Sequence, residues 1–324
     1  MRLFALGVLM ATLHAIIAGA QAQTYPTKPI VVVVPAPAGG PGDILGRVLS
    51  EPTRTILGQP LVIENVAGAG GTIGVGRVVR SSPDGYTVVL GQWNSSVASG
   101  AVFPTNFDLQ KDLEPVILLT SSPLWLVGRK GLPSENLADL IAHLKAHPDG
   151  LNVGIAGTGT ASHITAIHFA RQTETKMRFV PYRGAGPAYQ DLIAGHIDLL
   201  FAESSATREY VRAGSIKAYG VLARSRWHGA PEVASMAELG FPDLHMSFWQ
   251  AIWAPKGTPK QVIAALNRAA REALADPVIS LSLKEIGLEK PNEAQQTPEA
   301  LAAHQAAEIE RWWPIIKAAN VKSN

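Results

Sequence analysis

The sequence predicts an α/β protein built from two domains with largely parallel sheets. Apolar, strand-like runs alternate with helical patterns along most of the chain, the order expected when helices connect parallel strands. Gly-rich turns repeatedly stand where such a strand passes into a helix. The chain has 324 residues, 47% of them hydrophobic, which is enough for two cores rather than one.

The first domain opens on the β-branched run of residues 30–34, which predicts a buried strand. A helix is predicted over 43–57, because apolar residues recur on one of its faces, and Gly58 follows as a C-terminal cap. Two more strands are predicted at 61–64 and 88–90, and a helix running to about residue 81 lies between them.

A long apolar segment at 118–129 begins a second unit with the same alternation. The order of its elements repeats that of the first unit, which supports a second α/β domain. Its predicted elements are a helix at 137–150, a strand at 152–156, a helix opening at 157–163, a strand at 177–180, a loop and helix at 182–195, a strand at 197–201, a helix at 209–213 and a strand at 217–223.

The last part of the chain returns to the first domain through a predicted strand at 248–255. Three helices follow, at 259–275, 277–286 and 298–319, and each begins at or beside a proline, which suits the first helical turn. The chain is therefore expected to cross between the domains twice. The predicted division assigns 1–22 to a signal peptide, 23–122 and 246–324 to the first domain, and 123–245 to the second.

Composition narrows the class of protein. The formal net charge is +2 with no clustered basic run, which argues against nucleic acid as a partner. The chain has no cysteine, which excludes disulfides and thiolate metal sites. Arg2, an apolar run at 3–18 and the small residues Ala20 and Ala22 predict a signal peptide cleaved after Ala22. Export to a bacterial periplasm is expected; the alternative is a membrane anchor, for which the run is short.

The catalytic motifs that we searched for are incomplete. The glycine loop at 38–42 lacks the Lys and Ser/Thr of a phosphate-binding loop, and Ile73 occupies the third glycine position of a dinucleotide fingerprint. His143 and His147 are spaced to share a metal, but they stand on a polar helix face without a third ligand, so solvated histidines are the interpretation. We expect no catalytic residue, metal or cofactor; an enzyme acting on a carboxylate is the alternative of another class.

Three Gly-rich turns, at 38–42, 68–71 and 157–160, are the recurring feature. Each offers unobstructed backbone N–H groups at the start of a helix, where anions bind. Turns of α/β proteins often need glycine for conformational reasons alone, so one such turn is weak evidence. Several of them lining one cleft predict a carboxylate site.

Longer stretches resemble a known family. "YPTKPIVVVVPAPAGGPGDILGRVL", "AGTGTASH", "VPYRGAGPAYQDLIAGHIDLLF" and "APKGTPKQVIAALNRAAREALADP" resemble the tripartite tricarboxylate transporter substrate-binding receptors, the Bug family, in family order from residue 25 to about 313. The resemblance implies a periplasmic-binding-protein fold of type II, with two Rossmann-like lobes joined by crossing strands. It implies a monomer that closes over a small carboxylate without catalysis. The expected partner is a membrane transporter, with a sensor kinase as the alternative.

In such folds the ligand lies beyond the carboxyl ends of the strands. This places the loops after the first and third strands on one side of the cleft and three segments of the second lobe on the other. The loop at 68–71 follows the second strand and is expected to be structural. The predicted ligand-binding residues are Ala36, Ala38, Gly39, Gly40, Asp43, Gln92, Trp93, Asn94 and Ser95 in the first lobe, and Gly157, Thr158, Gly159, Thr160, His163, Arg183, Gly184, Ala202 and Glu203 in the second.

Departures from the family pattern bear on the ligand. Ala36 and Ala38 replace bulkier residues and are expected to open space for it. Trp93 is expected to stack on a flat ring, with Trp249 as a second aromatic wall; packing in the core is the alternative for both. These features predict a small carboxylate, with aromatic and other non-amino acids among the candidates.

Charged residues give three further expectations. Arg183 is placed to pair with a ligand carboxylate, unless it lies on the surface. Ala202 stands where many relatives have an aspartate, which weakens the case for an amino-acid ligand, although Glu203 restores a charge one residue later. His163 is expected to pack or cap beside its loop, with ligand contact as the alternative.

Overall fold

The computed structural model describes residues 25–321. Among these residues, eight strands form a continuous series in the order β2-β1-β3-β9-β4-β7-β5-β6, and a ninth, β8, pairs with β4 beside this path. Helices pack on the strands of each lobe. The predicted signal peptide at 1–22 lies outside the described residues. No helix within 25–321 combines the length and apolar character needed to cross a bilayer.

The element bounds agree with the predicted order of strands and helices. The strands are β1 Ile30–Val34, β2 Leu61–Asn65, β3 Thr87–Gln92, β4 Leu113–Arg129, β5 Asn152–Ile155, β6 Arg178–Pro181, β7 Leu199–Glu203, β8 Ile216–Val221 and β9 Ser247–Pro255. The α-helices are α1 Pro41–Leu57, α2 Thr72–Val79, α3 Ser99–Val102, α4 Leu137–Ala146, α5 Ala161–Thr173, α6 Ala185–Ala194, α7 Ser204–Arg212, α8 Lys260–Ala275, α9 Pro277–Glu285 and α10 Pro298–Ala318.

The long strand β4 joins the two lobes. Up to Pro123 it pairs with β9 in the sheet of the first lobe, and from Leu124 onward it pairs with β7 and β8 in the sheet of the second. Pro123 lacks an N–H and stands at the point where the pairing partner changes. Leu124 also donates its N–H to the carbonyl of Met246, 2.9 Å away, where the chain returns to the first lobe.

The sheets contain the predicted parallel pairs in each lobe, together with antiparallel pairs made by the two crossing strands. Parallel pairs are confined to β1 with β2 and β3, and to β5 with β6 and β7. The pairs made by β9 and β4 are antiparallel. These two strands carry the chain out of and back into the first lobe, so they run in opposite directions without a crossover helix between them.

The segment after β3 also differs from the expected loop. It forms a π-helical turn at Asn94–Ala98 that continues into α3. Ser residues usually favour turns over helices, but here Ser99 Oγ donates to the carbonyl of Ser95, 2.8 Å away, within the helical path. Val97 and Val102 are buried in the core, so tertiary packing holds this segment helical.

Candidate ligand-binding cleft

A cavity of about 30 Å³ lies between the lobes. It stands beyond the carboxyl ends of β3, β5 and β7, where ligands bind in sheets of this kind. Polar groups from both lobes reach it. Its lining residues are Asn94, Leu124, Ala156, Thr160, Ala161, Ser162, Ala185, Tyr189, Leu200, Phe201, Glu203 and Phe248.

Two contacts close the seam between the lobes beside this cavity. The Asn94 Oδ1 atom accepts a hydrogen bond from the backbone N–H of Ala161, 2.8 Å away, which supplies an N-terminal partner for α5 from the other lobe. Gly159 packs directly against Val102: a Cβ atom on Gly159 would lie 2.9 Å from both methyl groups of that valine. The closed arrangement therefore depends on a hydrogen bond and on the absence of a side chain.

The Asn94 contact gives a first prediction. Asn94→Ala removes the hydrogen bond between the lobes, and we expect carboxylate affinity to fall about fivefold, since one such bond contributes about 1 kcal/mol. Isothermal titration of the wild type and the variant measures this loss. Asn292→Ala is the control, because its side chain caps a short 3-10 helix within the first lobe. Equal affinities for wild type and Asn94→Ala would contradict the prediction.

Helix orientation makes the cavity suitable for an anion. The first residues of α5 and α6, Ala161 and Ala185, both line it. The amino-terminal end of a helix carries partial positive charge, so two such ends facing one cavity favour a carboxylate, even though Asn94 already accepts the Ala161 N–H. Gly184 precedes α6 with a φ of 110°, a backbone conformation that side chains disfavour.

The Gly-rich loop of the second lobe is held by its own hydrogen bonds. Thr160 Oγ1 donates to the carbonyl of Gly157 at 2.7 Å, and the N–H of Ala156 donates to Ser162 Oγ at 3.0 Å. The N–H of Gly159 donates to His163 Nδ1 at 3.2 Å. Burial lowers the pKa of His163, which favours the neutral ring that can accept this bond. Of these residues, Ala156, Thr160 and Ser162 also line the cavity.

His163 and Thr158 lie on the outer side of this loop. The His163 ring contacts Phe179 edge-on, with 5.1 Å between ring centroids. His163 and Thr158 line a separate, open depression on the surface that also contains Arg171. His163 therefore orders the loop by packing and capping, while the cavity between the lobes receives other side chains.

The loop after β1 is also held internally. Asp43 is buried, and its Oδ2 atom accepts a hydrogen bond from the N–H of Gly39 at 2.9 Å. Its Oδ1 atom accepts one from Arg47 Nε at 3.0 Å. The Arg47 side chain first, and then the Gly39 N–H, lower the pKa of Asp43. The N–H of Gly39 is thus already used, contrary to the expectation that it is free for a ligand.

The other residues of this loop have distinct surroundings. Ala38 is exposed, and Ala36 is half-buried, with its carbonyl accepting a hydrogen bond from Asn65 Nδ2 at 3.3 Å. The N–H of Gly40 approaches the carbonyl of Pro37 at 3.4 Å. Ala36 and Ala38 do not line the cavity, so the space expected at these two positions is not part of it.

The expected stacking of Trp93 on a ligand ring is wrong for this arrangement. Trp93 is fully buried, and its Nε1 donates to Glu308 Oε2 at 2.8 Å. Its ring packs edge-on against Trp312 of α10. Trp249 is also fully buried and directs its Nε1 to the same Glu308 oxygen, at 3.4 Å. The helical turn after β3 directs Trp93 into the core beneath α10.

Three further predicted residues are buried away from the cavity. Ala202 lies opposite Trp125 in the β4–β7 pairing and faces the core, because alternate residues of a strand point to opposite sides. Ser95 Oγ accepts a hydrogen bond from the N–H of Gln92 at 3.0 Å, which fixes the turn. The Gln92 side chain lies beneath α1 beside Gly42, with its buried Nε2 lacking a partner. Arg183 is exposed at the surface.

Of the predicted residues, Asn94, Thr160 and Glu203 line the cavity together. Tyr189 and Phe248 line it too but were not predicted. Helical spacing contained a signal for Tyr189, since it lies one turn after Ala185 on the same face of α6. Phe248 neighbours Trp249 in β9, and strand alternation places their side chains on opposite faces of the sheet. Only the sheet topology decides which of these two faces is turned toward the cavity.

Comparisons with known proteins agree with this geometry. Residues 45–321 match the family described as tripartite tricarboxylate transporter family receptor. The chain is 34% identical to Protein BugT of Bordetella pertussis over 98% of this chain and 97% of that protein. The structure of MatC from Rhodopseudomonas palustris with bound malate is similar, with a TM-score of 0.83 and 34% identity, covering 90% of this chain and 100% of that one.

A second Rhodopseudomonas palustris protein, solved with adipate, superposes with a TM-score of 0.84. It is 30% identical and covers 92% of this chain and 100% of its own. Both relatives extend over nearly the whole described chain. The similarity therefore includes both lobes.

Proposed function

The chain belongs to the tripartite tricarboxylate transporter receptor family, the Bug family of solute-binding proteins, and we propose that it is a periplasmic receptor for a small carboxylate. The observation that carries the proposal is the cavity between the lobes, where the amino-terminal ends of α5 and α6 meet Asn94 of the opposite lobe. These groups favour an anion and belong to both lobes. A bound carboxylate that contacts both therefore stabilises the closed form.

The ligand class follows from the side chains that line the cavity. Trp93 and Trp249 are buried and present no ring to a ligand, so these two residues give no reason to prefer an aromatic acid. The Asn94 Nδ2 group is a hydrogen-bond donor suited to carboxylate and hydroxyl oxygens, and the Thr160 and Ser162 oxygens can accept from a ligand hydroxyl. The relatives solved with malate and with adipate hold aliphatic dicarboxylates. We propose an aliphatic dicarboxylate or hydroxy acid as the ligand.

The protein's place in transport follows from its family. The expected signal peptide and the receptor family support export to the periplasm. Closure over the ligand brings both lobe surfaces into one arrangement that a membrane transporter can recognise. We propose that the closed, loaded form delivers its ligand to such a transporter.

A thermal-shift screen over aliphatic and aromatic mono- and dicarboxylates tests this function. A ligand that binds the folded state raises the melting temperature once its concentration exceeds the Kd. We expect malate, succinate or adipate to give the largest rise and to be recovered chemically unchanged. Preference for an aromatic acid would overturn the ligand class, and conversion of the ligand to a product would overturn the receptor function.

A further inference from the structure

Glu203 places an acid in a cavity that otherwise favours anions. It ends β7 and lines the cavity together with Asn94 and Ser162. Helix α7 begins at the next residue, but the Glu203 side chain accepts no hydrogen bond from the first turn of that helix. The carboxyl group is therefore not used as a helix cap, and it remains available to a ligand.

The surroundings of Glu203 oppose its ionisation. Burial raises its pKa to about 8. None of the residues that line the cavity is a lysine, arginine or histidine. The other titratable group of the lining is Tyr189, whose pKa is raised well above its usual value by burial first and then by the charge of Glu203. An ionised Glu203 would thus be a half-buried charge without a cationic partner among the residues that line the cavity.

A bound carboxylate ligand makes ionisation of Glu203 still less favourable. Glu203 and the first residues of α5 and α6 line the same cavity, so a carboxylate bound at those helix ends would lie close to the Glu203 carboxyl group. Two carboxyl groups at short range in a low-dielectric site do not both ionise; they share one proton. The protonated Glu203 then has an O–H group that donates a hydrogen bond. An ionised ligand carboxylate only accepts hydrogen bonds, so it needs such a donor.

We propose that Glu203 is a specificity-determining residue of the cleft, which as a neutral carboxylic acid donates a hydrogen bond to a carboxylate oxygen of the ligand. This rests on the proposed function as a carboxylate receptor. Below the pKa of Glu203 the proton is already present, and above it the proton comes from solvent. An ionised Glu203 would instead attract an ammonium group, so the protonation state of this residue separates dicarboxylates from amino acids.

Isothermal titration with malate and adipate at pH 7 and pH 9 tests the proposal. A group with this pKa is about nine-tenths protonated at pH 7 and about one-tenth protonated at pH 9, so wild-type affinity should fall about tenfold. Both probes are fully ionised throughout this range. Titrations at pH 9 in two buffers with different ionisation enthalpies should show uptake of nearly one proton per ligand bound.

Glu203→Gln retains an N–H donor of similar shape but does not titrate. We expect its affinity at pH 7 to stay within about threefold of wild type, with no loss at pH 9 and no proton uptake. Glu209→Gln, on the exposed side of α7, is the matched control and should keep the tenfold loss.

The proposal is overturned by wild-type affinity that does not change with pH, by affinity that rises with pH, or by an unchanged pH dependence in Glu203→Gln. Aspartate serves as the amine-bearing probe. If the wild type binds it more tightly than malate and Glu203→Gln abolishes that preference, Glu203 acts as an ionised partner and the proposal fails. If neither protein binds any carboxylate at either pH, the proposed function itself fails.

Discussion

Gly159→Ala is expected to weaken carboxylate binding by about tenfold to a hundredfold while leaving the fold intact. Its added Cβ atom would lie 2.9 Å from both methyl groups of Val102 when the lobes are closed. Overpacking of this kind costs about 1–3 kcal/mol, and the open form avoids the clash because the two residues belong to different lobes. The substitution therefore destabilises the closed form relative to the open form.

Isothermal titration and small-angle scattering of the wild type and Gly159→Ala measure this effect. The wild type should become more compact with ligand, and the variant should require a much higher ligand concentration to do so. Gly214→Ala is the matched control, since Gly214 has a φ of 65°, close to the 76° of Gly159, but no atom within 4 Å of an added Cβ. The control carries the same backbone strain. Equal affinity losses in both variants would show that strain, rather than the clash, weakens binding.

Glu308→Ala is expected to lower the free energy of unfolding by about 2–4 kcal/mol and the melting temperature by about 5 °C. The carboxylate of Glu308 accepts hydrogen bonds from the indole N–H groups of Trp93 and Trp249, which are both fully buried. Its removal leaves two buried donors without a partner. Such donors are costly because water cannot reach them.

Thermal and chemical unfolding of Glu308→Ala measure this loss. Glu308→Gln retains an amide oxygen as acceptor and should recover most of the stability. Glu310→Ala removes an exposed carboxylate from the same helix and should change the melting temperature by less than about 1 °C. A similar loss in Glu310→Ala would attribute the effect to helix charge rather than to the two indoles.

The order of strands and helices was predictable because it depends on local patterns. Strand β1 has the predicted bounds, and α1 ends at Leu57 with Gly58 in the left-handed conformation expected of a cap. The mixed sheet was not predictable in this way. Pairing direction depends on how β4 and β9 pass between the lobes, which no local periodicity records.

The loops of the site were predicted better than the side chains that line it. Asn94, Thr160 and Glu203 line the cavity, as expected from their positions after β3, β5 and β7. Trp93 is next to Asn94 in the chain, yet it points into the core. Trp93 and the turn at Asn94–Ala98 follow a helical path, and successive side chains point in different directions around its axis, so neighbouring residues face different surroundings.

The sequence by itself determined the family, the two α/β units and the loops that face each other, because these follow from local patterns and motifs in order. Only the tertiary structure decided which atoms those loops present. Glu308 lies 215 residues from Trp93 and satisfies its indole N–H, and Asn94 lies 67 residues from Ala161 and joins the lobes. Such contacts depend on burial and distance between remote segments, which a single sequence does not encode locally.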